Sequence, residues 1–198
     1  MIAASDTRQS IHAVASEIDR SAPDLARHAA PDGTVTLMFS DIEGFTRMTE
    51  RLGDLRAHEV VKEHNRIVRE RTAAHGGHEV ELRGDGFLLA FASARRALHC
   101  AIDLQRALTR REGELEIRVR IGLHTGEVLR DADSFFGKTV IQAFRVADLA
   151  GGGEILASSL TRDLVVSTGD IPFGASRSAT LKGLDGDHTV YEVAWQKA

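Results

Sequence analysis

The sequence predicts an α+β domain: a ferredoxin-like βαββαβ core behind a short N-terminal helical extension. Three observations predict it. Apolar runs of strand character alternate with amphipathic helical runs, in the order strand–helix–strand–strand–helix–strand. The two middle strands are joined by the tight turn Arg83-Gly84-Asp85-Gly86, which makes them a hairpin. The chain has 198 residues and a hydrophobic fraction of 42 %, enough for one core plus a small extension.

Residues 5–29 read as helical and separate from the rest. Ile11, Val14, Ile18 and Leu25 follow a broken heptad spacing, and Pro23 after Ser21 marks a new helix start. Such a stretch cannot bury itself alone. It either docks on the main domain or pairs with its own copy. Pro31-Asp32-Gly33 is a turn and sets the boundary, giving an extension over 1–32 and the main domain over 33–198.

Thr34–Ser40 is a buried strand of mostly apolar, β-prone residues. Leu55–His75 is a helix with Val60, Val61, Ile67 and Val68 at helical spacing, stopped by Gly76-Gly77. His78–Leu82 and Phe87–Phe91 are the hairpin strands. Ser93–Arg111 is a second amphipathic helix with Ser93 as its cap. Leu115–Thr125 alternates Leu115, Ile117, Val119, Ile121 and Leu123 with polar partners, a half-buried strand. Gly137–Ala150 is a third helix and Glu154–Ala157 a short strand. Ser158–Val166 is a helical turn, and His188–Trp195 the last strand.

Composition narrows the function classes. A net charge of −4 argues against a general nucleic-acid binder, which needs a basic surface. Cys100 is the only cysteine, so an intrachain disulfide is impossible and a cysteine-based zinc site is disfavoured. Residues 1–6 lack a basic region followed by an apolar run, so no signal peptide is read there. No apolar stretch approaches the roughly 20 residues that span a bilayer. A cytoplasmic setting is the expectation. None of the nine histidines forms a metal-binding cluster; most are expected at the surface or at helix ends.

Two segments carry the chemistry. Phe39-Ser40-Asp41-Ile42-Glu43-Gly44-Phe45-Thr46 and Arg83-Gly84-Asp85-Gly86 each put an aspartate beside a glycine at a predicted strand end. Two neighbouring carboxylates can hold divalent cations, and the glycines let backbone amides close on a phosphate chain. A lone strand-end aspartate is usually a turn former or a helix cap; the pair, separated by one long helix, is more specific. Both aspartates are expected near the surface.

These segments resemble the metal-binding loops of class III nucleotide cyclases, and the resemblance runs from about Gly33 to Trp195. It implies a homodimeric enzyme that turns a nucleoside triphosphate into a cyclic monophosphate and pyrophosphate. It implies two Mg2+ or Mn2+ ions per active site, held by Asp41, Asp85 and the Ile42 carbonyl. Hard oxygen ligands suit those ions. Backbone amides around Phe45 and Thr46 would face the phosphates. Lys182 matches a triphosphate-binding lysine, and Arg145 the arginine that stabilises charge on the α-phosphate. The metal aspartates of one subunit would work with the arginine and base-reading residues of the other.

The base-reading positions point to guanine. Adenylyl members of the family carry a lysine four residues before the second metal aspartate, where this chain has Glu81. They carry an aspartate three residues before the next glycine, where this chain has Ser134, with Asp133 one place off. A carboxylate accepts from guanine N1–H and the exocyclic NH2 but repels adenine N1, and a serine hydroxyl can donate to guanine O6. Glu81 could equally be the solvent side of a strand. Ile141 stands where the family has a ribose-orienting asparagine. Gln142 is adjacent, but one helical step turns a side chain by about 100°. This departure leaves alternatives open: a slow guanylyl or adenylyl cyclase, a different orienting group, or a nucleotide-binding or dimerisation module without turnover.

Overall fold

The computed structural model describes residues 29–109, 117–127 and 138–196. The N-terminal extension, with Ile11, Val14, Ile18 and Leu25, lies outside the described residues, as do Leu115, Asp133 and Ser134. The described residues form a mixed seven-stranded sheet with five α-helices. The strands are β1 (Thr34–Ile42), β2 (His78–Arg83), β3 (Gly86–Phe91), β4 (Val119–Glu127), β5 (Ile155–Ser158), β6 (Phe173–Thr180) and β7 (Asp187–Val193). The helices are α1 (Phe45–Leu52), α2 (Asp54–Ala74), α3 (Ala94–Thr109), α4 (Lys138–Leu149) and α5 (Ser159–Asp163). None of these helices is long and apolar enough to cross a membrane.

The sheet order is β2-β3-β1-β4-β5-β7-β6. Its first four strands are the ferredoxin-like core read from the sequence, with β1 antiparallel to both β3 and β4. Helices cover both faces of β1. Even-numbered Met38 and Ile42 join Phe87, Leu89 and Phe91 against Val60, Ile67 and Val68 of α2 and Leu98, Ala101 and Leu104 of α3. Odd-numbered Val35, Leu37 and Phe39 join Leu88 and Ala90 against Val140, Ala143, Phe144 and Ala147 of α4. A strand buried on both faces reads as a continuous apolar run, which is why β1 was legible. The α4 seat is unusually close: a Cβ on Gly122 of β4 would stand 2.2 Å from the Ala147 nitrogen.

Three differences from the sequence reading bear on the site. Strand β1 runs two residues further than expected, so Asp41 and Ile42 are strand residues paired with Arg120 and Val119. Gly44, with φ 69°, then turns the chain directly into α1, a helix the apolar spacing did not announce. Strand β6 was missed altogether. It is an edge strand, mostly exposed and poor in apolar residues, held in place by pairing with β7.

A second polar cluster sits towards the other end of β1. The hydroxyls of Thr36 and Thr125 pair at 2.9 Å, and Thr125 pairs with Thr161 at 3.1 Å. Thr161 meets the Ser158 hydroxyl at 3.0 Å, and Ser158 meets His124 Nδ1 at 2.8 Å. All five side chains are buried. Burial, with the nearby His188, pushes the His124 imidazole down to about 4.

Candidate active site

Asp41 closes β1 on the α4 face, and Asp85 sits in the two-residue turn between β2 and β3, where Gly84 takes φ 60°. The turn carries the Asp85 carboxylate to the end of β1: the Ile42 N–H donates to Asp85 Oδ2 at 3.0 Å. The Ile42 side chain is in the core, so its carbonyl is the only group it offers a cation. Both aspartates are fully buried, 0 % exposed, which corrects the expectation of surface positions.

The sequence reading did not include Arg120. Its Nη2 donates to Asp41 Oδ2 at 2.6 Å and its Nε at 3.0 Å, with Asp148 Oδ1 at 4.0 Å from Nη1. Only the long-range register Asp41↔Arg120 brings this pair together. One signal was nonetheless present: an arginine within a strand whose first seven residues are buried needs an anionic partner. Asp41 Oδ1 is buried without a hydrogen-bond partner. Burial and the adjacent Asp85 charge push the Asp41 carboxyl up to about 8, against the opposing pull of Arg120. An orphaned carboxylate oxygen beside a second buried carboxylate is the donor set a hard divalent cation fits. Among the described residues no three His, Cys, Asp or Glu side chains converge, so the set is two carboxylates plus main-chain oxygen.

The loop after Asp41 is fixed at its first residue. The Glu43 N–H donates to the Arg118 carbonyl at 2.8 Å, and Glu43 Oε1 accepts from the Gly152 N–H at 3.0 Å. Arg118 Nη2 donates in turn to the Gly152 carbonyl at 2.6 Å. Helix α1 starts without a side-chain cap, so the amides of its first turn, from Phe45 and Thr46 onward, are available to an anion. The Phe45 side chain packs on the core, leaving its main chain for that task.

Glu81 is on the same face of the sheet as Asp41. The register of β2 shifts between Glu79 and Glu81, a bulge centred on Val80. Without it, strict alternation would put Glu81 on the α2 face. With it, Glu81 pairs with Leu88, which packs on the α4 side, while Leu82 pairs with Phe87 in the opposite cluster. The side chain is half-buried, not on an open solvent face.

Arg145 and Lys182 meet each other rather than the aspartates. Arg145 Nε donates to the Lys182 carbonyl at 2.9 Å, and its guanidinium stacks 4.9 Å from the Phe144 ring centroid. Lys182 lies exposed in the turn between β6 and β7. Registers run from Arg120 through Leu123↔Ala157 and Ala157↔Tyr191 to Thr180↔Asp187. That path is seven residues along the strands and several strands across, so this turn lies on the order of 25 Å from Asp41. Within one chain, the structure therefore separates the aspartates from Lys182. Ile141, one helical turn before Arg145, is 38 % exposed. The Gln142 amide is engaged with His188 Nδ1 at 3.3 Å, so it does not replace the missing asparagine.

The described residues thus present a seven-stranded sheet with a ferredoxin-like core and a buried aspartate pair at the end of its central strand. The chain belongs to the adenylate and guanylate cyclase catalytic domain family, whose profile matches residues 28–194. An uncharacterised protein of Mycobacterium tuberculosis (strain ATCC 25618 / H37Rv) is 39 % identical over 147 residues, 73 % of this chain and 49 % of its own length. The chain thus spans about half the length of that curated relative. The solved guanylyl cyclase Cya2 is 27 % identical, with a TM-score of 0.70 over 81 % of this chain and 91 % of that one. An adenylate cyclase of Trypanosoma brucei, solved as a monomer, gives a TM-score of 0.75 over 86 % and 92 % at 24 % identity, a likeness of fold.

Proposed function

We propose that two copies of this chain form a nucleotide cyclase that prefers GTP. The observation that carries this is Asp41 Oδ1, buried and unpartnered beside Asp85, whose charge and the surrounding burial raise the Asp41 carboxyl. Asp41, Asp85 and the Ile42 carbonyl would hold magnesium or manganese. Bound there, such a cation acidifies the attacking 3′-hydroxyl and neutralises the triphosphate. The 3′-oxygen attacks the α-phosphorus, and pyrophosphate leaves with the electrons of the broken P–O bond. The first-turn amides of α1 hold the outer phosphates. The separation of Lys182 from Asp41 favours a site shared by two copies. In it the second copy supplies Lys182 to the terminal phosphates and Arg145 to the charge on the α-phosphate. Glu81 accepts two hydrogen bonds from guanine, with Ser134 donating to O6.

A second reading, a nucleotide-binding module without turnover, is favoured by Ile141, which cannot orient a ribose. One experiment separates the two: purified protein with Mn2+ and each of the four triphosphates, with products resolved chromatographically. The cyclase reading expects cyclic GMP over cyclic AMP by roughly tenfold, the worth of one mismatched polar contact. Nucleotide binding without any cyclic product would leave only the module.

A further inference from the structure

Behind the aspartates, two buried polar atoms stand without partners. His64 is on the inward face of α2 between Val60 and Ile67, fully buried, and its Nε2 has no hydrogen bond. Ser40, also fully buried, has an unpartnered Oγ. The two flank one ring. Ser40 is the cross-strand partner of Phe87, and the His64 ring lies 5.9 Å from the Phe87 centroid at 57°. Ser40 directly precedes Asp41, and Phe87 follows Asp85 by two residues. The orphans therefore lie on the α2 face of the sheet beside the turn that carries Asp85, whereas Asp41 faces α4.

Their chemistry is complementary to a single small molecule. Asn65 Oδ1 faces His64 Nδ1 at 3.0 Å. As the amide is oriented, the proton is on Nδ1 and Nε2 is an acceptor. Burial also drives His64 towards its neutral form, while the Asp85 charge is near enough to pull the other way. A water at this spot would donate one hydrogen to Nε2 and one to the Asp85 carboxylate, and would accept from the Ser40 hydroxyl. Three such bonds are the usual complement of a buried water. Buried orphans of this kind are rare in folded proteins, and each needs an account.

We propose that His64 is a positioning residue: together with Ser40 it holds one buried water that supports the Asp85 carboxylate from the core side. This role presumes the cation-binding function proposed above for Asp85. Outer-shell groups of this sort fix a ligand's orientation and tune the affinity of the site.

The test uses the whole chain without nucleotide and has two readouts. In metal-free protein, the imidazole nitrogen resonances of His64 are recorded by NMR before and after Ser40→Ala. A shared water predicts that the Nε2 resonance moves; an unmoved resonance overturns the proposal whatever the metal does. Free Mn2+ is then titrated by electron paramagnetic resonance. Ser40→Ala and His64→Leu are each expected to weaken binding about tenfold, and the double variant no more than either alone, because one water is lost once. His64→Gln, which keeps an acceptor at similar reach, is expected to stay within about threefold of the parent. Additive losses, or His64→Gln as weak as His64→Leu, overturn the shared water. If the unmodified chain binds no Mn2+, the cation reading of Asp41 and Asp85 falls and the positioning role with it, while the NMR result still decides whether the two side chains share a water.

Discussion

Strands β1 and β4 carry a buried polar cluster towards each end, and the two are built on opposite rules. Around Thr36, Thr125, Thr161, Ser158 and His124, neutral groups pass hydrogen bonds from one to the next. Around Asp41, Asp85 and Arg120 the groups are acids and a base, a carboxyl oxygen is orphaned, and the proton affinity of Asp41 is strongly raised. Depth does not distinguish them, since both are buried. Completeness does. A satisfied network specifies a fold, whereas an unsatisfied one holds free energy that a ligand can release.

The widest gap between the clusters is expected in catalysis. Asp41→Ala or Asp85→Ala is expected to lower cyclase turnover by at least about 100-fold, more than loss of an outer-shell group. The far-ultraviolet spectrum would be kept, while the melting point of Asp41→Ala is expected to fall because the buried Arg120 guanidinium loses its partner. Near-normal turnover of either variant at saturating Mn2+ would remove the charged end from the chemistry.

The proposed sharing of the site between two copies is tested by mixing. Asp41→Ala and Arg145→Ala are each expected to be inactive. Equal mixing yields heterodimers as about half of all dimers, each with one of its two sites intact, so about a quarter of normal activity returns. Heterodimers that form and stay inactive would mean that each chain builds its own site.

The two ends are also expected to respond to pH with opposite sign. Asp41 has a folded pKa raised from 3.8 to about 8. Its contribution to stability is full below about pH 4 and is lost as pH rises through about 8 in metal-free protein. His124 has a folded pKa lowered from 6.5 to about 4. Its contribution is full above pH 6.5 and is lost as pH falls through about 4. The Asp41 limb is expected to be the larger, because its shift is the larger of the two. Denaturant melts across pH are expected to show Asp41→Asn flattening the alkaline limb and His124→Gln the acid limb. Either variant altering the limb assigned to the other would break the contrast.

The smallest effect belongs to the satisfied end. Thr161→Val keeps the shape but removes one hydrogen bond each from the Ser158 and Thr125 hydroxyls, at about 1 kcal/mol. Stability is expected to fall with turnover unchanged. A loss of turnover greater than the loss of folded protein would place this cluster in the chemistry.

The sequence made some of this legible and hid the rest for identifiable reasons. The ferredoxin-like core was readable because β1, β3 and the inward faces of α2 and α3 carry dense apolar patterns. Asp41 and Asp85 were readable because each stands beside a glycine at a strand end. Strand β6 was not, because Phe173–Thr180 has little apolar content and depends on β7 for its existence. Arg120 was not, because register alone brings it to Asp41. His64 left a trace that local pattern could have caught: it occupies an inward helical position, four residues after Val60 and three before Ile67, where a polar side chain needs a reason. The Glu81 orientation depends on a bulge that composition does not announce.

The contact between Gly122 and Ala147 has a mechanical consequence. Where helix and strand meet through side chains, small shifts can be absorbed by rotamer changes. Here the main chains meet with no side chain between them, so α4 has no cushion against the sheet. Arg145, two residues before Ala147, is carried on a stiff arm with its aim set by backbone geometry. A substitution in the surrounding core would disturb that aim little. A single methyl at position 122 would tilt the whole arm, and would do so without touching any residue proposed to meet a nucleotide.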